Sequence, residues 1–183
     1  MSDIAALPRA ALDALQAEVR SASWFAAIGK PLTPGERANA EAYAQALGVK
    51  DIEPARNWAD AERLLKSPDW STVWWEHEES LRRALLAEAG RLYPERALWT
   101  ALSDLTSETG DLVHGKAAMA ASRERNVPAA SIHVAAGAAS HAVYQLAVAR
   151  LAKTNEPLFE IKFRLFAAGR WPLGVVRSTL GLF

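Results

Sequence analysis

The sequence predicts a mainly α fold: one helical domain over residues 1–183, a bundle of about six helices with a short extended segment at its C-terminal end. Two patterns predict it. Apolar residues recur at helical spacing from Leu12 to Leu151, while sustained apolar/polar alternation appears only at Phe159–Phe166. Pro and Gly punctuate these stripes at intervals that suit helix boundaries. Any strand is therefore expected within the last thirty residues or so.

Taken in order, a first helix is expected from Pro8 to about Ile28, with Leu12, Leu15 and Val19 as its stripe and Gly29 at its end. Thr33-Pro34-Gly35-Glu36 is a capping box: the Thr hydroxyl can take a first-turn amide, Pro suits the first helical position and Glu reaches back. The helix it opens should stop at Gly48. A short helix over Trp58–Lys66 is closed by Ser67-Pro68, after which Asp69 is expected to cap a long helix running to about Tyr93. Its stripe is Trp70, Trp74, Leu81, Leu85 and Leu92.

Pro94 restarts the chain, and Leu98, Leu102, Leu105 and Leu112 mark another amphipathic helix in which Gly110 or Gly115 could be an interruption. Asn126-Val127-Pro128 is a connection. From Ser131 to Ala149 no residue carries a charge, and a helix of that kind is expected at the centre of the fold, with His133 and His141 shielded from water. Residues 159–166 read as helix or strand; Pro157 at a first-turn position, Gly169 as a left-handed stop and few β-branched residues favour helix. Leu173–Phe183 reads as extended, and it should either fold back on 159–166 as a hairpin or dock on a partner chain.

Composition excludes more than it selects. Half of the 183 residues are hydrophobic, 23% are charged, and 21 Lys and Arg match 21 Asp and Glu, so the chain is neither disordered nor a nucleic-acid coat. The halves differ: residues 1–90 hold 14 acids and 10 bases, residues 91–183 hold 7 and 11. Lys162, Arg164, Arg170 and Arg177 lie among Phe163, Phe166 and Trp171 near the C-terminal end. Docking of these bases onto the acidic first half is preferred over nucleic-acid binding, which is not expected. With no cysteine, disulfides, thiolate metal sites and Cys nucleophiles are excluded. Met1-Ser2-Asp3 lacks the basic and apolar regions of a signal peptide, and residues 131–149 are rich in Ala and hold His133, Ser140, His141 and Gln145. A cytoplasmic location without a membrane span is the expectation.

No phosphate-binding loop, dinucleotide fingerprint, zinc-protease motif or nucleophile elbow is present, and no motif names a cofactor. On the long helix His77 and Glu78 flank the apolar stripe, where both would be partly buried, with Arg82 one turn on as an ion-pair partner for Glu78. Asp111 and His114 have the i, i+3 spacing of a carboxylate–histidine metal site, and Glu108 lies a turn earlier. They fall on the face opposite the leucines, which reads as a solvated face, so no metal is expected. Across the uncharged helix, His133, Gly137, Ser140, His141 and Tyr144 gather within an arc of about 100°. That arc reads either as close packing or as one wall of a small-molecule pocket. Of the tryptophans, Trp70 and Trp74 have core roles, while Trp75 and Trp171 are freer.

Two function classes follow. The first is a non-catalytic binding or regulatory module that contacts a protein partner, or a second copy of itself, through residues 157–183. The second is a small helical enzyme or ligand-binding protein with its pocket between the 131–149 and 70–92 helices. That pocket would be lined by His133, His141, Tyr144, Ser140, His77 and Glu78, with a histidine as general base.

Overall fold

The computed structural model of the chain describes residues 6–154 and 156–183; Met1–Asp3, read above for a signal peptide, lie outside the described residues. Those described form seven helices and a three-stranded sheet: α1 Arg9–Ser21, α2 Pro34–Ala46, β1 Asp51–Pro54, α3 Trp58–Leu65, α4 Val73–Leu92, α5 Glu95–Ala121, α6 Ala129–Leu151, α7 Pro157–Ala167, β2 Pro172–Val176 and β3 Thr179–Leu182. The fold is mainly helical, and no described helix is long and apolar enough to cross a membrane.

Local signals set several boundaries. The capping box at Thr33 forms in full, with the Glu36 amide donating to the Thr33 hydroxyl and the Thr33 amide to the Glu36 carboxylate, and α2 ends just before Gly48 at φ +76°. α7 starts with Pro157 in its first turn and is followed by Gly169 at φ +91°. Its apparent alternation arises because both sides of the helix pack: Leu158, Phe159, Phe163, Leu165 and Phe166 are all buried. α5 runs unbroken through Gly110 and Gly115.

Other expectations are corrected by long-range contacts. α1 stops at Ser21, about two turns short, because Trp24 donates its indole N–H back to the Val19 carbonyl at 2.7 Å and Trp24 and Phe25 turn into the core. There Trp24 packs edge-on to Phe163, and Phe25 edge-on to Phe166 and Trp171. Asp69 does not cap α4; its carboxylate takes Arg177, and the helix begins at Val73 without a side-chain cap. Nor are all strands within the last thirty residues. β1 lies at 51–54 and pairs in parallel with β3, Ile52 opposite Leu180, while β2 and β3 form an antiparallel hairpin turning at Arg177-Ser178. The extended end thus pairs with itself and with β1 instead of with residues 159–166. The outer edge of β2 is covered by Trp70 and Ser71, whose amide donates to the Val175 carbonyl at 2.8 Å.

Gly174, at φ +102°, lets the hairpin lie against two tryptophans: a Cβ there would sit 2.6 Å from the Trp74 ring. Trp171 is fully buried between Trp58, Phe25 and Phe183, so it is not one of the freer tryptophans; Trp75, 48% exposed, is.

α6 is the central element. α5 packs along it, with small residues buried on both helices, Val113, Ala117, Ala120 and Ala121 on α5 and Ala135, Ala136 and Ala139 on α6, while α4 and α7 close over its second half. From Ala142 to Ala149 every residue except Tyr144 is buried, but His133, Val134 and Gly137 face outward. The lack of charge therefore reports burial on nearly all sides only over the second half, while the first half is buried on one side. A 23-residue helix is about 34 Å long, and the partners that surround it reach only its last three turns.

Candidate functional site

Four helices bring polar side chains to one layer of the core. Lys162 lies on the same face of α7 as Phe159, Phe163 and Phe166, and so enters the apolar interior. It meets Glu78 of α4, whose Oε2 accepts from Lys162 Nζ at 2.5 Å. Gln145 of α6 bridges the pair, donating to Glu78 Oε2 at 3.3 Å and accepting from Lys162 Nζ at 2.9 Å. Tyr43 of α2 donates its hydroxyl to Glu78 Oε1 at 2.5 Å. The Lys162 ammonium also lies 5.7 Å from the centre of the Trp74 ring. Glu78 is 1% exposed and Lys162 6%. Burial, with the Glu78 carboxylate beside it, pushes the Tyr43 phenol well above its ordinary range, so it remains a donor. Every oxygen and nitrogen of the pair has a partner inside the protein, which is what permits two charges at this depth.

A second polar group stands one residue further along α4, nearer the surface. Glu79 Oε1 meets His141 Nε2 at 2.7 Å, and Glu79 Oε2 pairs with Arg82 at 2.9 Å. Arg82 stacks over the Tyr144 ring, which lies beside His141. Burial alone would raise the Glu79 carboxyl, but hydrogen bonds from Arg82 and His141 hold it below its ordinary value. His141 is lowered despite its carboxylate partner: burial and the nearby Lys162 charge outweigh the pull of Glu79. The imidazole, its side chain 38% exposed, is thus held neutral near pH 7 and oriented by an anion.

The six residues singled out from sequence are divided by this arrangement. Glu78, His141 and Tyr144 lie in or beside the polar layer, and Ser140 is half-buried next to His141. His77 points to solvent on α4, not toward the apolar stripe. His133 is also exposed, two turns from His141, and stacks on His114 of α5 with ring centres 5.0 Å apart. The ion pair expected between Glu78 and Arg82 is made by Glu79 instead, because Glu78 turns inward to Lys162. Sequence reasoning missed Tyr43, Glu79, Gln145 and Lys162. Lys162 had a legible signal, a lone cation on a phenylalanine face, and so did Gln145, a lone amide among Ala, Val and Leu.

The basic C-terminal region docks as its charge suggested. Lys162 pairs with Glu78, Arg170 with Glu36 and Arg177 with Asp69, all acids of the first half. Arg170 is buried and also donates to the carbonyls of Lys30 and Pro31. Within the described part of 157–183 only Pro157, Arg164, Arg177 and Ser178 are exposed.

Away from this layer, α1 and α5 enclose an open groove of about 530 Å³. Its floor is Leu7, Leu12, Ala97, Ala101 and Leu105, and its rim carries Arg9, Asp13, Gln16, Arg96, Thr100, Asp104 and Glu108. Glu108 closes one end by accepting from Gln16 and Arg20. Among the described residues no three His, Asp or Glu side chains converge as a metal site would need.

No known protein family, characterised protein or solved structure matches this chain. Its chemistry must therefore be read from the geometry alone.

Proposed function

We propose that the protein is a non-catalytic binding module and that its contact surface is the α1–α5 groove. The observation that carries this is where the polar groups go. Glu78, Lys162, Tyr43 and Gln145 saturate one another in the core, whereas the α1–α5 groove combines an apolar floor with unsealed charges, as a recognition surface requires. The C-terminal segment, expected from sequence as the contact surface, is largely buried in its own chain, which favours the α1–α5 groove over it as the binding face. The lack of cysteine supports a reducing compartment such as the cytoplasm.

The test is a two-dimensional NMR screen of the full chain against uncharged aliphatic and aromatic fragments. Amide shifts are expected at Leu12, Gln16, Thr100 and Ala101, and Ala101→Trp, which fills the groove, should abolish them while leaving the melting temperature within a few degrees. A second reading, ligand binding or acid–base chemistry at His141, is favoured by the half-exposed imidazole that Glu79 orients. Fragment shifts clustered at Ser140, His141 and Tyr144, with none in the groove, would select that reading instead.

A further inference from the structure

Past the C-terminal end of α1 the chain makes a clamped turn. The Ala26 amide donates to the Ser23 carbonyl at 2.8 Å, and the Ser23 and Ala27 amides tie the turn to the carbonyls of Ala167 and Gly169. Phe25, at the third position of the turn, has φ +59°, a conformation that a bulky side chain disfavours. Its ring packs on Phe166 and Trp171 and the Trp24 ring on Phe163, and these contacts hold the turn in shape. The Trp24 and Phe25 amides are thereby fixed, and among the described residues neither has an acceptor in the chain. Residues 22–26 and one face of α5, made of Lys116, Met119, Ala120 and Arg123, enclose a pocket of about 170 Å³. Lys116 and Arg123 stand two turns apart, about 10 Å along the helix axis. Among the described residues neither is in an ion pair: Leu112, Val113, Met119 and Ala120, one turn away from them, carry no charge, and Glu124 accepts from the Trp58 amide. The last carbonyls of α5 are taken as well, Met119 by the Ser122 hydroxyl, Ala120 and Ala121 by the Arg123 and Glu124 amides. The pocket is thus lined by two cations and by no acid, whereas the α1–α5 groove carries both signs.

We infer that this pocket binds a phosphate group, free or as a monoester, between Lys116 and Arg123 of α5 and the Trp24 and Phe25 amides of the turn. A tetrahedral anion presents oxygens on several sides, so it can accept from the turn and from both cations at once. A carboxylate has two oxygens on one side and meets only part of that set. Met119, 59% exposed and between the two cations along α5, offers an apolar contact to the organic part of an ester. The site is separate from the α1–α5 groove and does not depend on it.

The test is an NMR titration of the full chain, at constant ionic strength, with inorganic phosphate, phenyl phosphate and acetate. Phosphate is expected to give saturable shifts at the Trp24 and Phe25 amides and to bind about fivefold tighter than acetate, the worth of one further part-exposed ion pair. Lys116→Met, which keeps the aliphatic stem, and Arg123→Gln should each weaken phosphate binding by about threefold to fivefold. Neither cation has a partner in the chain, so both variants should keep the melting temperature of the unaltered protein. Phenyl phosphate binding more tightly than phosphate assigns the site to a monoester, and phosphate binding as tightly or more tightly assigns it to the free ion. Acetate binding as tightly as phosphate, no saturable shift at Trp24 and Phe25, or unchanged phosphate affinity in both variants overturns the inference.

Discussion

Replacing Glu78 by Gln tests whether the buried pair is held by charge or only by hydrogen bonding. The change removes the anion that Lys162 Nζ and the Tyr43 hydroxyl both address at 2.5 Å. What remains to the ammonium is the Gln145 carbonyl oxygen at 2.9 Å and the Trp74 face at 5.7 Å, neither of which carries a compensating charge. Removing one partner from a buried pair costs about 3–5 kcal/mol; the new amide can still accept from Tyr43, which places the loss near the lower end, about 3 kcal/mol. In a chain of this size the melting temperature should fall by about 6–12 °C. Lys162→Met should cost about 2–3 kcal/mol, since it leaves a carboxylate facing two neutral donors, Tyr43 and Gln145. In the double variant both charges are gone and Tyr43 keeps an acceptor. Its loss should therefore fall short of the sum of the single losses by about 2 kcal/mol. Urea unfolding of the four proteins, followed by far-ultraviolet circular dichroism, measures each quantity. Single losses below about 1 kcal/mol that simply add would refute the reasoning, because they would mean that water reaches the pair and screens it.

His141 titrates below its ordinary 6.5, so the unfolded chain binds that proton more readily; stability from this group is complete above about pH 6.5 and is lost as pH falls through the folded value. His141→Gln should flatten that part of the stability profile, and a ring resonance with a midpoint above 6.5 would contradict it. Gly174→Ala places a Cβ 2.6 Å from Trp74 and 2.9 Å from Trp70 at φ +102°, and should cost about 2–4 kcal/mol with a shift in tryptophan emission; an unchanged spectrum and melting temperature would count against the close approach. Arg170→Met removes the donor to the Lys30 and Pro31 carbonyls and to Glu36, and should cost about 2–3 kcal/mol. Hydrogen exchange at the Thr33 amide, which donates to the same Glu36 carboxylate, should quicken at least about tenfold; unchanged exchange there would show that the loop holds itself.

The elements that local chemistry specifies were legible in the sequence. The Thr33 capping box, the stops at Gly48 and Gly169, Pro157 in a first turn and the apolar second half of α6 each act within a few residues or one helix face, where short-range sterics and burial dominate. The pairing of Lys162 and Arg170 with acids of the first half was legible too, because buried cations need anions and most of the acids lie there. The partners themselves were decided by the tertiary structure. Neighbouring carboxylates Glu78 and Glu79 differ by about 100° around α4, and which one meets Lys162 and which meets Arg82 depends on how α7 and α6 cross that helix. His133 and His141 share a helix face, yet α4 reaches only the second, so one is exposed beside His114 and the other is held neutral. β1, four residues with a proline at its end, carries no strand pattern of its own; it is a strand because β3, more than a hundred residues away, lends it hydrogen-bond partners. The groove is likewise a product of two helices running parallel. Each contributes an ordinary mixed-charge face, and only their alignment lays Leu12, Ala97 and Ala101 along one apolar floor.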